Sequence, residues 1–543
     1  VNVRLADFHG GLVLPRHKEA ADAPAADCPL PAELVLPLAS TRGARTLPRV
    51  AVGERVVRGQ CIADGGDDGA VPVHAPAAGI VVAIADRPVP HPSGLPDRCI
   101  VLATDPAGST TTLPALSPLD AAPEVLRARL HDAGLVGLGG GAFPTAAKLA
   151  RTVDTVIVNG AECEPYIACD HVLLRDQAGD VIDGARLVAR ITGAARAIIA
   201  IEDTMHAARA ALDAVLAADT DDAEAGPPVE LVSVPTRYPA GGERQLIRVL
   251  TGREVPADGL PADLGVACVN VATVAAAWRA VVDGTPLTHR LVSVAGGGVR
   301  RAGTFRVAVG TPVGDLVAAA GGYTDQARRL VMGGPLMGTA LATDAVPVVK
   351  ATNSILVLGD DELRAPGPEL PCIRCAECAR VCPAGLLPQE LHWQLRAGDL
   401  DEARALALDA CIECGLCALV CPSQIPLVAW YRHGKTELRL ADEARRRADT
   451  ARARHDARTQ RLAREAEEHA TRLAARRAEI AARANAAPGP TAEAPSDAGP
   501  GNPVAAALAR ARARRQQATA GKTQAQAPSE TSSASERKPD DAP

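Results

Sequence analysis

CIRCAECARVCP (372–383) and CIECGLCALVCP (411–422) repeat one pattern, C-x2-C-x2-C-x3-C-P, and no other feature of the chain restricts its fold as tightly. Three thiolates on one tight loop can cap three corners of an iron–sulfur cubane, while the fourth cysteine points away and serves the neighbouring centre. The spacing therefore predicts two [4Fe-4S] centres with crossed ligands. One takes Cys372, Cys375, Cys378 and Cys421; the other takes Cys411, Cys414, Cys417 and Cys382. Structural zinc also uses C-x2-C pairs, but it has no use for an eight-cysteine duplication with a proline behind each loop. The link AGLLPQELHWQLRAGDLDEARALALDA reads as two helices, which suggests a helical two-cluster ferredoxin domain over 365–435. Such centres move single electrons and do no organic chemistry, so something else in the protein must feed them.

The rest of the composition narrows the class. A chain of 543 residues should hold several domains. Aromatic residues make up 2%, so its cores must be built from Ala, Val and Leu. The net charge of −6 argues against nucleic acid as a partner. The remaining cysteines (Cys28, Cys61, Cys99, Cys163, Cys169, Cys268) are scattered, as expected of free thiols in a reducing compartment. The most apolar stretch, GVACVNVATVAAAWRAVV, is broken by Asn270, Thr273 and Arg279, and VNVRLADFHGG lacks an apolar signal core. A cytoplasmic protein is expected, with docking on a membrane partner left open.

The expected fold class is multidomain α/β. In residues 1–115, AVGERVVRGQCIAD and VPVHAPAAGIVVAI resemble the hammerhead half-motifs of biotinyl and lipoyl domains, and a β-sandwich hybrid is expected. No lysine occurs between Lys18 and Lys148, which excludes a swinging-arm carrier. Over 118–283, the strand-like TVIVNG, ARAIIAIED and ELVSVP alternate with helical runs such as DHVLLRDQAGDVIDGARLVARITG, the signature of a largely parallel sheet. Residues 285–360 suit a small β-grasp module, read equally well as a spacer or a ligand-binding unit. Residues 436–485 form a charged Ala/Arg-rich helix, with 13 basic residues against 9 acids and no core-forming stripe. The Pro, Ala, Ser and Gln content of 486–543 predicts disorder.

GLGGGAFPTAAKL (137–149) satisfies G-x-G-x-x-A, yet PEVLRARLHDAGLV before it is helical, so an ordinary dinucleotide fingerprint does not apply. A Gly-rich turn opening a helix at Pro144 still offers free N–H groups to an anion, with Lys148 adding a charge. A tight packing turn followed by surface acids is the plain alternative. In order, GLGGGAFPTAAKL, NGAECEP, YPAGGERQL and NVATV resemble the FMN-binding subunit of respiratory NADH dehydrogenase. With the hammerhead region and the double ferredoxin, residues 5–435 resemble the RnfC/RsxC family, a component of the Rnf/Rsx electron transport complexes.

That resemblance implies FMN, NAD(H) and two [4Fe-4S] clusters in a subunit peripheral to the cytoplasmic face of the inner membrane. It would exchange electrons with NAD(H) and pass them to partner subunits or ferredoxin. Gly139, Gly140, Gly141 and Lys148 would cradle the FMN phosphate. Asn159 and Thr273 would bond the flavin, with Asn270 in the same motif. Glu162, Glu164 and Glu243 would line the nicotinamide pocket, with Glu162 and Glu164 at the chemistry and Gly241 and Gly242 giving room. Ala161 stands where the respiratory flavin subunits usually have an acid. A soluble diaphorase subunit and a flavin-free relay or docking subunit are the alternatives.

Overall fold

The computed structural model describes residues 5–40, 42–218, 226–363, 367–486 and 507–514. The chain divides into two units, 1–446 and 447–543.

In the first unit, Glu33–Pro37, Pro96–Thr104, Gly79–Pro88 and Arg55–Val56 form an antiparallel sheet. A second antiparallel sheet holds Leu47–Pro48, Cys61–Asp64 and Val73–His74. Leu34, Leu36, Ile62, Val81, Ile100 and Leu102 fill the space between them, joined by Ala308 and Val309 from further along the chain. Residues 5–27 do not join these sheets. Phe8 packs into the next domain's core, Leu12 bridges to Tyr238, and Ala26–Asp27 pairs in parallel with Phe305–Arg306.

The central domain runs α1 (Pro123–Asp132), α2 (Thr145–Lys148), β1 (Thr155–Gly160), α3 (Cys169–Asp176), α4 (Ala178–Thr192), β2 (Arg196–Glu202), α5 (His206–Ala218), β3 (Val229–Val234), α6 (Glu243–Thr251), β4 (Val266–Asn270) and α7 (Val271–Val282). Its four strands are all parallel in the order β3-β2-β1-β4. Apolar runs such as VIV and AIIAI suit strands covered on both faces. The helical run expected from Asp170 to Gly193 is two helices, because Gln177 leaves helical geometry at φ −139° and ψ 41°. Its side chain accepts from Arg279 of α7 instead.

A six-stranded sheet follows. Its centre is β5 (His289–Ala295), antiparallel to β6 (Gly303–Ala308) and parallel to β8 (Ser354–Leu358), which pairs with β7 (Arg329–Met332). Helix α8 (Val313–Ala319) packs on it through Val313, Leu316 and Val317. In the cysteine region the link between the motifs does form two helices, α9 (Pro388–Ala397) and α10 (Leu400–Ala405). The long helix α11 (Leu427–Asn485) starts earlier than the expected 436. Leu427, Tyr431, Gly434 and Leu438 form a buried stripe that anchors its first turns in the ferredoxin core.

The second unit comprises the rest of that helix, exposed throughout, and residues 507–514, which are helical. Most of the stretch expected to be disordered lies outside the described residues. No helix among those described is long and apolar enough to cross a membrane.

Helices α4 and α7 approach so closely that a Cβ on Gly184 would run into the carbonyl of Val274. Gly184→Val should cost about 1–3 kcal/mol by forcing the helices apart. Thermal unfolding checks this, and an unchanged midpoint would show that the contact yields freely.

Candidate functional site

In an open parallel sheet, ligands collect outside the carboxyl ends of the strands where the strand order reverses. Here that point lies between β1 and β4, and in their register Asn159 stands directly beside Asn270. Gly139 lies over it, near enough that a Cβ there would touch the Asn270 side chain. The stem of this loop is held at both ends of Leu138. Its N–H donates to the buried Thr273 Oγ1 (2.9 Å), and its carbonyl accepts from Arg290 Nη2 (2.8 Å).

Beyond that stem Gly139, Gly140 and Gly141 carry N–H groups with no protein acceptor among the described residues, and Gly140 and Gly141 are exposed. Gly140 takes φ +96°, a left-handed conformation that favours glycine, and nothing stands within 4 Å of a Cβ on Gly140 or Gly141. The Thr145 hydroxyl behind the loop is buried without a partner among the described residues. Lys148 reaches the same rim and pairs with Glu243 at 2.6 Å, each about one-third exposed. Free N–H groups, open space and a partly exposed lysine fit a phosphate.

The other expected contacts do different work. Asn159 Nδ2 donates to the Gly241 carbonyl (2.8 Å), and its Oδ1 accepts from the Ala161 N–H (3.1 Å). Asn270 caps α7 by accepting from the Ala272 N–H and donates to Asp170 Oδ2 (2.6 Å). Gly241 and Gly242 are needed for close packing, since a Cβ would run into the Ala161 carbonyl or the Gln245 side chain. Glu162 is buried and accepts from the Asp170 N–H (2.9 Å) at the start of α3. Glu164 Oε1 accepts from the N–H groups of Leu336 (2.8 Å) and Met337 (2.9 Å), and burial raises its carboxyl above the usual range. The residues expected to line the pocket thus have protein partners. Glu162 and Glu164 face protein donors, not an open rim, because the loop that carries them is packed under the β-grasp module.

Glu162, Cys169 and Asp170 bring their donor atoms within 4.8 Å of one another. Lys18 lies 4.0 Å from Glu162, and Arg290 also acts on Asp170, so protein cations already offset this charge.

The cysteines gather in two small cavities. One is lined by Cys372, Cys375, Cys378 and Cys421, the other by Cys382, Cys411, Cys414 and Cys417. Burial and neighbouring thiols push Cys414 up to about 11. A set of soft thiol ligands facing one another suits an iron–sulfur cluster. The second cavity abuts the central domain. Tyr238 Oη donates to the Cys414 carbonyl (2.7 Å), His9 Nδ1 lies 2.8 Å from the Cys382 carbonyl, and Gly11 N–H donates to the Val381 carbonyl (3.0 Å). The first cavity lies under exposed Cys375, Ile373 and Leu370.

Comparison with known proteins assigns each part. Residues 6–107 match the RnfC barrel sandwich hybrid domain, 130–279 the Nuo51 FMN-binding domain, 291–340 the SLBB domain and 371–425 the 4Fe-4S dicluster domain. The chain is 41% identical over 475 residues to the C component of an ion-translocating oxidoreductase complex of Yersinia pestis bv. Antiqua, covering 85% of this chain and 74% of that one. The chain belongs to the RnfC family. Its counterpart in Pseudomonas aeruginosa is 45% identical over 469 residues, covering 85% of this chain and 60% of that one, so this chain spans less than two thirds of that relative. Among solved structures, an NAD+-reducing [NiFe]-hydrogenase in its H2-reduced state overlaps 60% of this chain and 64% of that one, at a TM-score of 0.42 and 24% identity.

As an RnfC-family chain, the protein carries an FMN-binding domain and a dicluster domain. Several residues around them left no local signal. Lys18 Nζ donates to the carbonyls of Glu162 (2.6 Å), Glu164 (3.1 Å) and Ile167, fixing the whole loop from a distant segment. Tyr238 lies within the YPAGGERQL motif, yet its partner is a carbonyl in the second cysteine loop. Glu202, at the carboxyl end of β2, is 1% exposed, and neither carboxylate oxygen has a partner among the described residues.

Burial pushes the Glu202 carboxyl from its ordinary 4.5 up to about 7. The folded state then holds a proton that the unfolded chain has released, so stability falls as pH rises from about 4.5 to about 7 and levels off above. Glu202→Gln should flatten that fall, read by chemical denaturation at pH 5 and pH 7.5. Parallel slopes in both proteins would mean that the Glu202 proton is not held.

Proposed function

We propose that this chain takes electrons from NADH at its glycine-loop rim and passes them through two [4Fe-4S] centres to other subunits of an ion-translocating complex or to ferredoxin. The observation that carries the reading is the contact between the rim's own loop and one cysteine cavity. Tyr238, four residues before the N-cap of α6, donates to the carbonyl of Cys414. Bound FMN would supply the conversion of a two-electron hydride donor into single-electron steps.

Within that reading, the N–H groups of Gly139, Gly140 and Gly141 hold the FMN phosphate, with Lys148 as its counter-charge. Glu243 keeps Lys148 at the rim by their 2.6 Å pair. Asn159, Asn270 and Thr273 act as positioning residues, since each fixes a loop around the crevice. Glu162 and Glu164 hold the neighbouring loop closed against water, and Gly241 and Gly242 let that loop and α6 approach. Cys382, Cys411, Cys414 and Cys417 hold the centre nearer the flavin. Cys372, Cys375, Cys378 and Cys421 hold the outer one, whose exposed edge at Ile373 and Cys375 suits delivery to a partner.

Domain boundaries at 1–115, 118–283, 285–360, 365–435, 436–485 and 486–543 go with this division of labour, apart from the crossing segment 5–27 and the earlier start of α11. Attachment would be peripheral, through partner subunits on the cytoplasmic side of the inner membrane. A flavin-free relay is the second reading, favoured by the fact that Lys148 and Glu164 already have protein partners.

Anaerobic addition of NADH to cluster-reconstituted protein separates the two. Bleaching of both the flavin and iron–sulfur absorbance is expected. Bleaching by dithionite alone, with no flavin released by acid, would leave the relay. Lys148→Ala should weaken FMN binding by roughly tenfold or more, as loss of a charged hydrogen bond implies, measured by flavin fluorescence. Cys414→Ser should block NADH-driven reduction of the remaining centre while dithionite still reduces it. Cys375→Ser should leave NADH-driven reduction of the inner centre intact, and the opposite pattern would reverse the order of the two centres.

A further inference from the structure

A cavity of about 490 Å³ opens where the hybrid domain, the central domain and the β-grasp module meet. It is distinct from the glycine-loop rim, since none of Gly139, Gly140, Gly141, Lys148, Asn159 or Glu243 lines it. Its size falls within the range of small-molecule sites.

Its charge is lopsided. Four guanidinium groups line it, from Arg58, Arg279, Arg290 and Arg306, against two carboxyl groups, from Asp170 and Asp180. Arg279 is answered by Asp180 at 2.7 Å. Arg290 is held by protein, donating through Nε and Nη2 to the carbonyls of Thr352 and Leu138. Asp170 is turned to protein partners as well, since its Oδ2 accepts from Asn270 Nδ2 (2.6 Å), and burial together with Glu162 raises its carboxyl to about 7. That leaves Arg306, whose counter-charge is Asp27 at 3.7 Å in an exposed pair, and Arg58, whose guanidinium has no hydrogen bond or ion pair among the described residues. Burial and then Arg306 lower Arg58, and burial followed by Arg58 and Arg306 lowers His289, so the two guanidinium groups are close neighbours. Two cations that repel each other at the mouth of a cavity cost stability unless an anion joins them.

The geometry of the walls says what kind of anion. In the β5–β6 pairing Leu291 stands opposite Arg306, so an apolar side chain adjoins the charge. Across the cavity, Ala272, Ala275 and Ala276 of α7 present a low aliphatic surface against which a flat ring can lie. We infer that this cavity binds a phosphate monoester of mononucleotide size, its phosphate between Arg58 and Arg306 and its ring against α7. Three domains contribute to the lining, so a bound ligand also stiffens their junction. The inference stands apart from the NADH reading and survives its failure.

AMP titrated calorimetrically into the full chain is the test, with adenosine and inorganic phosphate as comparators. Saturable AMP binding is expected, tighter than inorganic phosphate, with no detectable adenosine binding. Arg58→Ala and Arg306→Ala should each weaken AMP by on the order of tenfold. Arg58 has no ion pair among the described residues to lose and repels Arg306, so that variant should melt no lower than the wild type and keep its flavin and iron content. AMP should raise the melting temperature of the wild type and not that of Arg58→Ala. No saturable AMP binding overturns the inference, as does adenosine binding as tightly as AMP. Binding that falls with Lys148→Ala and not with Arg58→Ala also overturns it, by placing the nucleotide at the glycine-loop rim.

Discussion

Leu138 is one residue whose backbone is claimed from two domains, and the geometry of the crevice depends on it. Thr273 of α7 takes its N–H and Arg290 of the β-grasp module takes its carbonyl. A loop with three glycines would otherwise sample many conformations, because glycine loses the most conformational freedom on folding. Pinning the stem confines that freedom to Gly139–Gly141, whose N–H groups have no protein acceptor among the described residues. Arg290 is buried and donates through Nε and Nη2 to carbonyls on two segments, so a shift of the module that carries it would strand a buried charge. The β-grasp module is thus part of the crevice's support and not a spacer.

The same economy recurs below the loop. Lys18 closes the segment after β1 by donating to three carbonyls, and His17 stacks on Tyr166 with ring centroids 4.5 Å apart. Tyr166 in turn donates to Glu362 (2.9 Å). Buried carbonyls in an irregular loop need donors, and here they come from side chains far away in sequence. The loop that bears Glu162 and Glu164 is rigid for that reason.

Local pattern makes much of this legible. Cysteine spacing alone groups the thiols as the two cavities do, because a C-x2-C-x2-C loop is short enough to dictate its own geometry. Apolar runs mark β1 to β3, since a strand buried on both faces must be apolar throughout. What spacing does not reveal is which polar side chain serves a ligand and which serves the protein. Glu164 and Asn159 look alike as ligand contacts, but Glu164 meets a donor 172 residues further on and Asn159 a carbonyl 82 residues further on, and such partners have no local trace. The start of α11 escapes the pattern for a related reason. Leu427, Tyr431, Gly434 and Leu438 form a stripe only one residue wide, hidden at the front of a long charged helix.

Residues 5–27 lie across three domains, and their farthest partner decides when they can settle. His9 precedes the Cys382 carbonyl it meets by 373 positions, and Gly10 fits only because it has no Cβ to strike the Val381 carbonyl. On a ribosome this segment emerges early and then waits, its docking surface unmade, until the first cysteine loop has been synthesised. Closing it is therefore a late event in biogenesis, coupled to the shape of that loop. Until that loop takes its shape, His9 to Gly11 lack their last partners and form an exposed stretch, the kind on which a protease acts first.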